Sequence, residues 1–212
     1  MRPINQHTLT SSRGIEIKVK TFGSVDYSTS YQAMKSFAQQ RGADAIDEVW
    51  LLQHPPVYTQ GTACEMETLL PSDIPVVKTD RGGQITYHGP GQWVMYPLLN
   101  LRRHGIGVKS LVYKLEQCVI NVIAEHNVDA SRKDDAPGVY VDGEKIAALG
   151  LRIRRGNSYH GLSLNVKMHL APFKNIDPCG YQGLQVTHLA DLARVNEQEI
   201  GQSLLNGFVS LL

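Results

Sequence analysis

Residues 15–21 alternate apolar and polar side chains, a period of two that predicts a half-buried strand. At residue 26 the period changes. Tyr27, Tyr31, Ala33, Met34, Phe37 and Ala38 fall mostly at helical spacing behind Asp26, whose side chain suits a helix start, and Gly42 follows as a stop. The pattern predicts a helix over 26–41. Residues 47–53 then predict a strand halted by Pro55-Pro56, with a shorter strand over 57–59. Residues 74–78 lead into a glycine-rich stretch with a short strand over 85–88. Residues 93–101 are strongly apolar, and Pro97 among them predicts an edge strand or a bulge. The clearest helix covers 107–126, where Val108, Leu111, Val112, Leu115, Val119, Val122 and Ile123 make one apolar stripe. Three strands follow, over 138–141, 145–153 and 162–167. Asp142-Gly143 joins the first two as a tight hairpin, and Arg155-Gly156-Asn157 separates the second from the third. Asn196 with Glu199 caps a last helix through Ile200, Leu204, Leu205, Phe208 and Leu211. Many strands, few helices and several hairpins predict an α/β fold of the α+β kind. Its sheet is mixed and largely antiparallel, with flanking helices. No repeat or linker divides residues 1–212, which read as one domain with a loosely ordered start over 1–14.

Composition narrows the function classes. With 21 basic and 20 acidic residues the net charge is +1, so no field of one sign favours nucleic acid as the main ligand. No apolar run approaches the ~20 residues that cross a bilayer, and no secretory segment is evident, so a cytoplasmic protein is expected. The cysteines Cys64, Cys118 and Cys179 are odd in number and far apart, which fits a reducing compartment and makes any special cysteine a matter of chemistry. The eight histidines do not pair with cysteine or carboxylate at ligand spacing, so no metal site is expected. Neither a P-loop nor a GxSxG elbow occurs.

The densest chemical signal is Arg81-Gly82-Gly83-Gln84-Ile85-Thr86-Tyr87-His88-Gly89-Pro90-Gly91-Gln92. A Gly-Gly pair lets the backbone turn sharply and approach a ligand closely, although a hairpin with a tight turn at each end leaves the same trace. Cys179 stands between Pro178 and Gly180 on a turn that exposes a thiol, either as a nucleophile helped by a nearby cation or as an incidental loop cysteine. Cys118 lies on the helical stripe and reads as inert core; Cys64 reads as a surface-loop cysteine. Lys145 opens Lys145-Ile146-Ala147-Ala148-Leu149-Gly150 as a solvated charge or, held in a cleft, as a cation able to favour a thiolate and relay a proton. The small residues behind it leave room for a bound chain or for close sheet packing. In His160-Gly161-Leu162-Ser163-Leu164-Asn165 the backbone N–H groups at a strand start could face a ligand carbonyl, or His160 could be structural. Arg152, Arg154 and Arg155 form either a solvated edge or a patch for an acidic partner.

Taken in order, and together with Ala136-Pro137-Gly138-Val139-Tyr140-Val141, these segments resemble the lipoyl(octanoyl) transferases of bacterial type, over roughly residues 50–181. One such motif is weak; five in sequence are specific. The resemblance implies a fold shared with the catalytic domains of biotin protein ligases and lipoate ligases. It implies that Cys179 is the acyl-thioester nucleophile and Lys145 its partner. It assigns substrate binding to Arg81, Gly82, Gly83, Gln84, Ile85, Thr86, Tyr87, His88, Ala148, Leu149, Gly150, Gly161, Leu162 and Ser163. It further implies octanoyl transfer from acyl carrier protein, as the first step of endogenous lipoate biosynthesis. The acceptors it implies are lipoyl domains of 2-oxoacid dehydrogenase complexes and the glycine cleavage H protein. No cofactor beyond the donor's phosphopantetheine is implied, nor a nucleic-acid or membrane partner, and the expected state is a monomer. Ser163 departs from the family's usual alanine, and residues 62–70 depart from its usual loop. Two alternatives share the fold: an ATP-dependent lipoate or biotin ligase that activates a free acid as an adenylate, and a non-catalytic lipoyl-domain binder. The Lys145–Cys179 pair favours the transferase, since adenylation needs no acyl-cysteine.

Overall fold

The computed structural model describes residues 1–64, 72–134, 136–176 and 185–212. Two sheets organise it. The larger runs β1 (Asn5–Thr10), β2 (Glu16–Ser24), β3 (Asp47–Gln53), β7 (Gln92–Leu98), β10 (Asn157–Asn165), β9 (Glu144–Arg154), β8 (Gly138–Val141). Within this sheet, among the described residues, β2 and β3 alone pair in parallel, because α1 (Tyr27–Gln40) crosses over between them; the other neighbouring pairs are antiparallel. The smaller sheet is β5 (Val76–Lys78), β4 (Val57–Gln60), β6 (Ile85–His88).

Helices cover both faces of the large sheet. On one face α1 places Met34 and Ala38 against Phe22, Trp50, Leu52 and Tyr96. On the other, α2 (Val108–Ala124) and α3 (Glu197–Leu211) bury Leu111, Leu115, Val119, Leu204, Leu205 and Phe208 over Val49, Leu51, Met95 and Leu162. Strands β3 and β7 are buried on both sides, which is why their sequences are nearly continuous in apolar residues. The helix starts follow from side-chain caps: Asp26 Oδ1 accepts from the Thr29 N–H at 2.9 Å and Asn196 Oδ1 from the Gln198 N–H at 3.0 Å.

Three expectations need correction. The loosely ordered start contains a strand: Asn5–Thr10 pairs residue for residue with β2, from Asn5↔Thr21 to Thr10↔Glu16. Its side chains are mostly exposed, so the main-chain ladder, which leaves no periodic apolar signal, ties it down. Pro97 is not at an edge, since β7 lies between β3 and β10. Pairing with β3 continues through Val49↔Pro97, while the β10 ladder stops at Met95, so the missing N–H falls where the ladder is interrupted. Finally, Arg155 and Gly156 (φ 52 and 84) form a two-residue hairpin, so β10 starts at Asn157 and His160-Gly161 sits mid-strand rather than at a strand start.

Candidate active site

Strands β9 and β10 and the glycine-rich segment running into β6 wall a narrow, mostly apolar cleft that opens to solvent. Arg81, Gly83, Gln84, Ile85, Thr86, His88, Lys145, Ala148, Leu149, Gly150, Gly161, Leu162 and Ser163 all line it. Two expected residues stand apart. Gly82 donates its N–H to Leu151 O at 3.0 Å, docking the loop on β9, and the Tyr87 ring packs edge-on against Phe173 at 5.5 Å, in a separate cluster with Tyr58.

The glycine-rich segment is held from two sides. Gly61, Thr62 and Ala63 donate backbone N–H groups to Gln84, Arg81 and Gly83. A side chain at residue 61 would meet Gly83 O at 2.1 Å, so the two loops approach more closely than any Cβ allows. Arg81 is buried and donates to Thr59 O at 2.5 Å, Thr59 Oγ1 at 2.9 Å and Gly82 O at 2.9 Å. Its guanidinium therefore braces the loop as well as lining the cleft.

Lys145 marks one end of the cleft. It is 6 % exposed, with Nζ 3.4 Å from Pro137 O and 5.3 Å from the Tyr140 ring centre. Its backbone is fixed by residues 185–187: its N–H donates to Gln185 O at 2.9 Å, and the Thr187 N–H donates to its carbonyl at 3.1 Å. A buried ammonium thus points into an apolar cleft from a rigid strand end. Cys179 lies outside the described residues. The described chain stops at Ile176 and resumes at Gln185, the partner of Lys145.

A run of hydrogen bonds ties the glycine-rich strand to the same place. His88 Nδ1 donates to Gln92 Oε1 at 2.7 Å, Gln92 Nε2 to Asn165 Oδ1 at 2.9 Å, and Asn165 Nδ2 to Thr187 O at 3.0 Å. Burial pushes the His88 imidazole down to about 3, and His54 behind it down to about 4. Both are neutral at pH 7. His54 confirms its tautomer by contacts: Nδ1 donates to Val25 O at 2.6 Å and Nε2 accepts from Tyr96 Oη at 2.8 Å.

Gly161 and Leu162 lie inside β10, paired with Gly150 and Leu149 of β9. Cys118 is core as expected, its Sγ 3.3 Å from Leu204 O and its thiol pushed up to about 12 by burial. Cys64 is half-buried at the rim of the Tyr58 cluster rather than on an open surface. Sequence reasoning missed Tyr27, Val94, Tyr96, Pro137, Phe173 and Val186 as cleft residues. Tyr27 reads as one more apolar position of α1, and nothing in its spacing marks it as facing a ligand. Among the described residues no group of three His, Cys, Asp or Glu side chains is placed to hold a metal ion, and no helix is long and apolar enough to cross a membrane.

Comparison with known proteins agrees with this geometry. The family model of the lipoyl protein ligase A/B catalytic domain matches residues 26–209. An octanoyltransferase of Saccharophagus degradans is 56% identical over 185 residues, covering 87% of this chain and 86% of that protein. One of Nitrosomonas eutropha is 54% identical over 198 residues, covering 92% and 88%. Among solved structures, a lipoate protein ligase of Thermoplasma acidophilum with bound lipoic acid superposes with a TM-score of 0.73 at 14% identity, over 90% of this chain and 83% of that one. The biotin protein ligase of Aquifex aeolicus in complex with biotin and ATP gives 0.59 at 13% identity, over 90% and 68%. At those identities the structures speak for the fold alone. The sequence relatives and the family match decide the rest: this chain belongs to the lipoyl protein ligase A/B catalytic-domain family and, within it, to the octanoyltransferases, and is a transferase enzyme.

Proposed function

We propose that the cleft holds an octanoyl chain while Cys179 carries it as a thioester between acyl carrier protein and a lipoyl-domain lysine. The observation that carries this reading is the buried ammonium of Lys145 at the end of an apolar cleft, fixed through its backbone to residues 185–187. Beside a thiol such a cation favours the thiolate. The Cys179 thiolate attacks the thioester carbonyl of the donor. The new C–S bond forms as the phosphopantetheine C–S bond breaks, and the departing thiolate takes a proton from Lys145. The neutral amine of the acceptor lysine then attacks the acyl-cysteine. An amide forms, the thiolate of Cys179 leaves, and the amine's surplus proton returns to Lys145. Thioester exchange is close to thermoneutral and amide formation from a thioester is downhill, so neither ATP nor a bound cofactor enters. Dividing the transfer into two displacements is the usual advantage of covalent catalysis.

The test supplies octanoyl-acyl carrier protein and an apo lipoyl domain with ATP absent. Octanoyl-lysine should form. Product that appears only with free octanoate and ATP would assign the chain to the adenylating ligases instead.

A further inference from the structure

Consecutive residues of a strand face opposite sides of a sheet. Tyr159 and His160 do not. The Tyr159 hydroxyl donates to Asp80 Oδ2 at 2.7 Å, and His160 Nε2 donates to the other oxygen of the same carboxylate at 3.0 Å. The cause is the backbone of His160, left-handed at φ 58, a conformation that few side chains other than glycine adopt. It sits where the sheet has slack. Pro97 of β7 offers no N–H there, and residue 161 is glycine because a Cβ would meet Met95 O at 2.0 Å. A strained residue persists when its surroundings hold it, and here a carboxylate, two aromatic rings and a ladder gap do so.

The consequence is a hydrogen-bonded chain. With Nε2–H donated to Asp80, Nδ1 of His160 is an acceptor, and the Tyr27 hydroxyl faces it at 3.4 Å. Burial pushes the His160 imidazole down, which keeps it neutral. Burial alone would raise the Asp80 carboxyl, but hydrogen bonds from His160, Tyr159 and Tyr31 outweigh it and hold the group well below the usual range. The Tyr27 ring is 2 % exposed and lies parallel to His88, with 5.7 Å between centres. It is pinned by its hydroxyl at one edge and by its face.

This ring sits between His160 and His88, both of which line the cleft. Lys145 is the second residue of β9 and His160 pairs with Leu151, six residues further along that strand, or about 20 Å at the usual strand rise. An extended eight-carbon chain spans roughly 9 Å, taking ~1.5 Å bonds at ~111°. The lysine side chain fills part of the interval at one end, and the imidazole and phenol fill part at the other. We propose that Tyr27 is the stop that sets acyl-chain length, with His160 and Asp80 as the positioning residues that keep its ring across the cleft. The inference deepens the acyl-transfer reading and rests on it.

The experiment measures kcat/KM for acyl carrier protein thioesters of six, eight, ten and twelve carbons with wild type, Tyr27→Ala, Tyr27→Leu, Tyr27→Phe and His160→Asn. Asparagine tolerates the left-handed backbone, so His160→Asn removes the ring with least strain. For Tyr27→Ala the ten-to-eight carbon ratio should rise about tenfold or more, the effect of opening a pocket by a methylene or two. Tyr27→Leu, which keeps an apolar side chain on α1, should move it the same way by less. Tyr27→Phe and His160→Asn keep a ring at residue 27 but lose the tether, and should broaden the profile. Profiles that still fall off beyond eight carbons in all four variants, with every donor slowed alike, would overturn the assignment. Failure of wild type to transfer octanoyl at all would instead overturn the reading on which it rests.

Discussion

The two ends of the β9–β10 strip are built in opposite ways. At one end Lys145 brings a charge into the cleft on a long side chain, and its backbone is tied to residues 185–187. Further along the strip Tyr27 and His160 are neutral rings whose polar atoms face one another and Asp80. The first arrangement suits a group that must give and take a proton. The second suits a surface that must stay shut and offer no unmatched donor to a hydrocarbon tail. Between them lie Ala148, Leu149, Gly150, Gly161 and Ser163, small or apolar positions where a chain can lie. On the proposed reading the contrast divides the labour: chemistry at the charged end, selection along the strip and at the aromatic end.

The sharpest way to break this division is at Lys145. Lys145→Met should lower kcat on the order of 10²-fold, the scale of positioned acid–base catalysis, and should slow iodoacetamide alkylation of Cys179 at pH 7. Lys145→Arg should not restore turnover, because guanidinium does not release a proton for relay. Equal alkylation and turnover for wild type and Lys145→Met would remove the charge from the mechanism. A change in the middle of the strip should act on selection instead. Ala148→Phe adds bulk opposite Ser163 and should reduce kcat/KM for octanoyl about tenfold more than for butanoyl. Equal losses for both donors would take residue 148 out of the acyl path.

The neutral rings also have a consequence for stability. His54 and His88 have folded-state values of about 4 and about 3, below the unfolded value near 6.5, so the unfolded chain binds more protons between those limits. Their stability contribution is therefore complete above pH 6.5 and declines as the pH falls toward 4. Each group contributes a slope of up to about 1.4 kcal/mol per pH unit. Urea midpoints should fall from pH 7 to pH 5, and His54→Gln should flatten that dependence. A midpoint unchanged over this interval would mean that the imidazoles are not held neutral.

Much of this was legible in the sequence, for reasons visible in particular residues. Asp26, Asn196 and Asp142-Gly143 mark their caps and turn because short polar side chains and glycine act locally, within a few residues. The cleft wall was legible because Arg81 to His88, Lys145 to Gly150 and Gly161 to Ser163 are contiguous motifs. What escaped depends on distant partners. Asn5–Thr10 is a strand only because β2 offers an edge, and Pro97 is central only because the ladder beside it is broken. Tyr27 and Asp80 meet through His160, which is 133 and 80 residues away from them, and no local period encodes that meeting.

The central claim is that the acyl group passes through a covalent bond to Cys179, and the most direct test is the intact mass of the protein after mixing with octanoyl-acyl carrier protein, without ATP or lipoyl domain. The account predicts one added octanoyl group per chain, mapped to Cys179 by peptide fragmentation, lost on addition of apo lipoyl domain, and absent in Cys179→Ser while still formed in Cys118→Ser. An unmodified mass during steady transfer, or an adduct on any other residue that is discharged to the lipoyl domain, would contradict it.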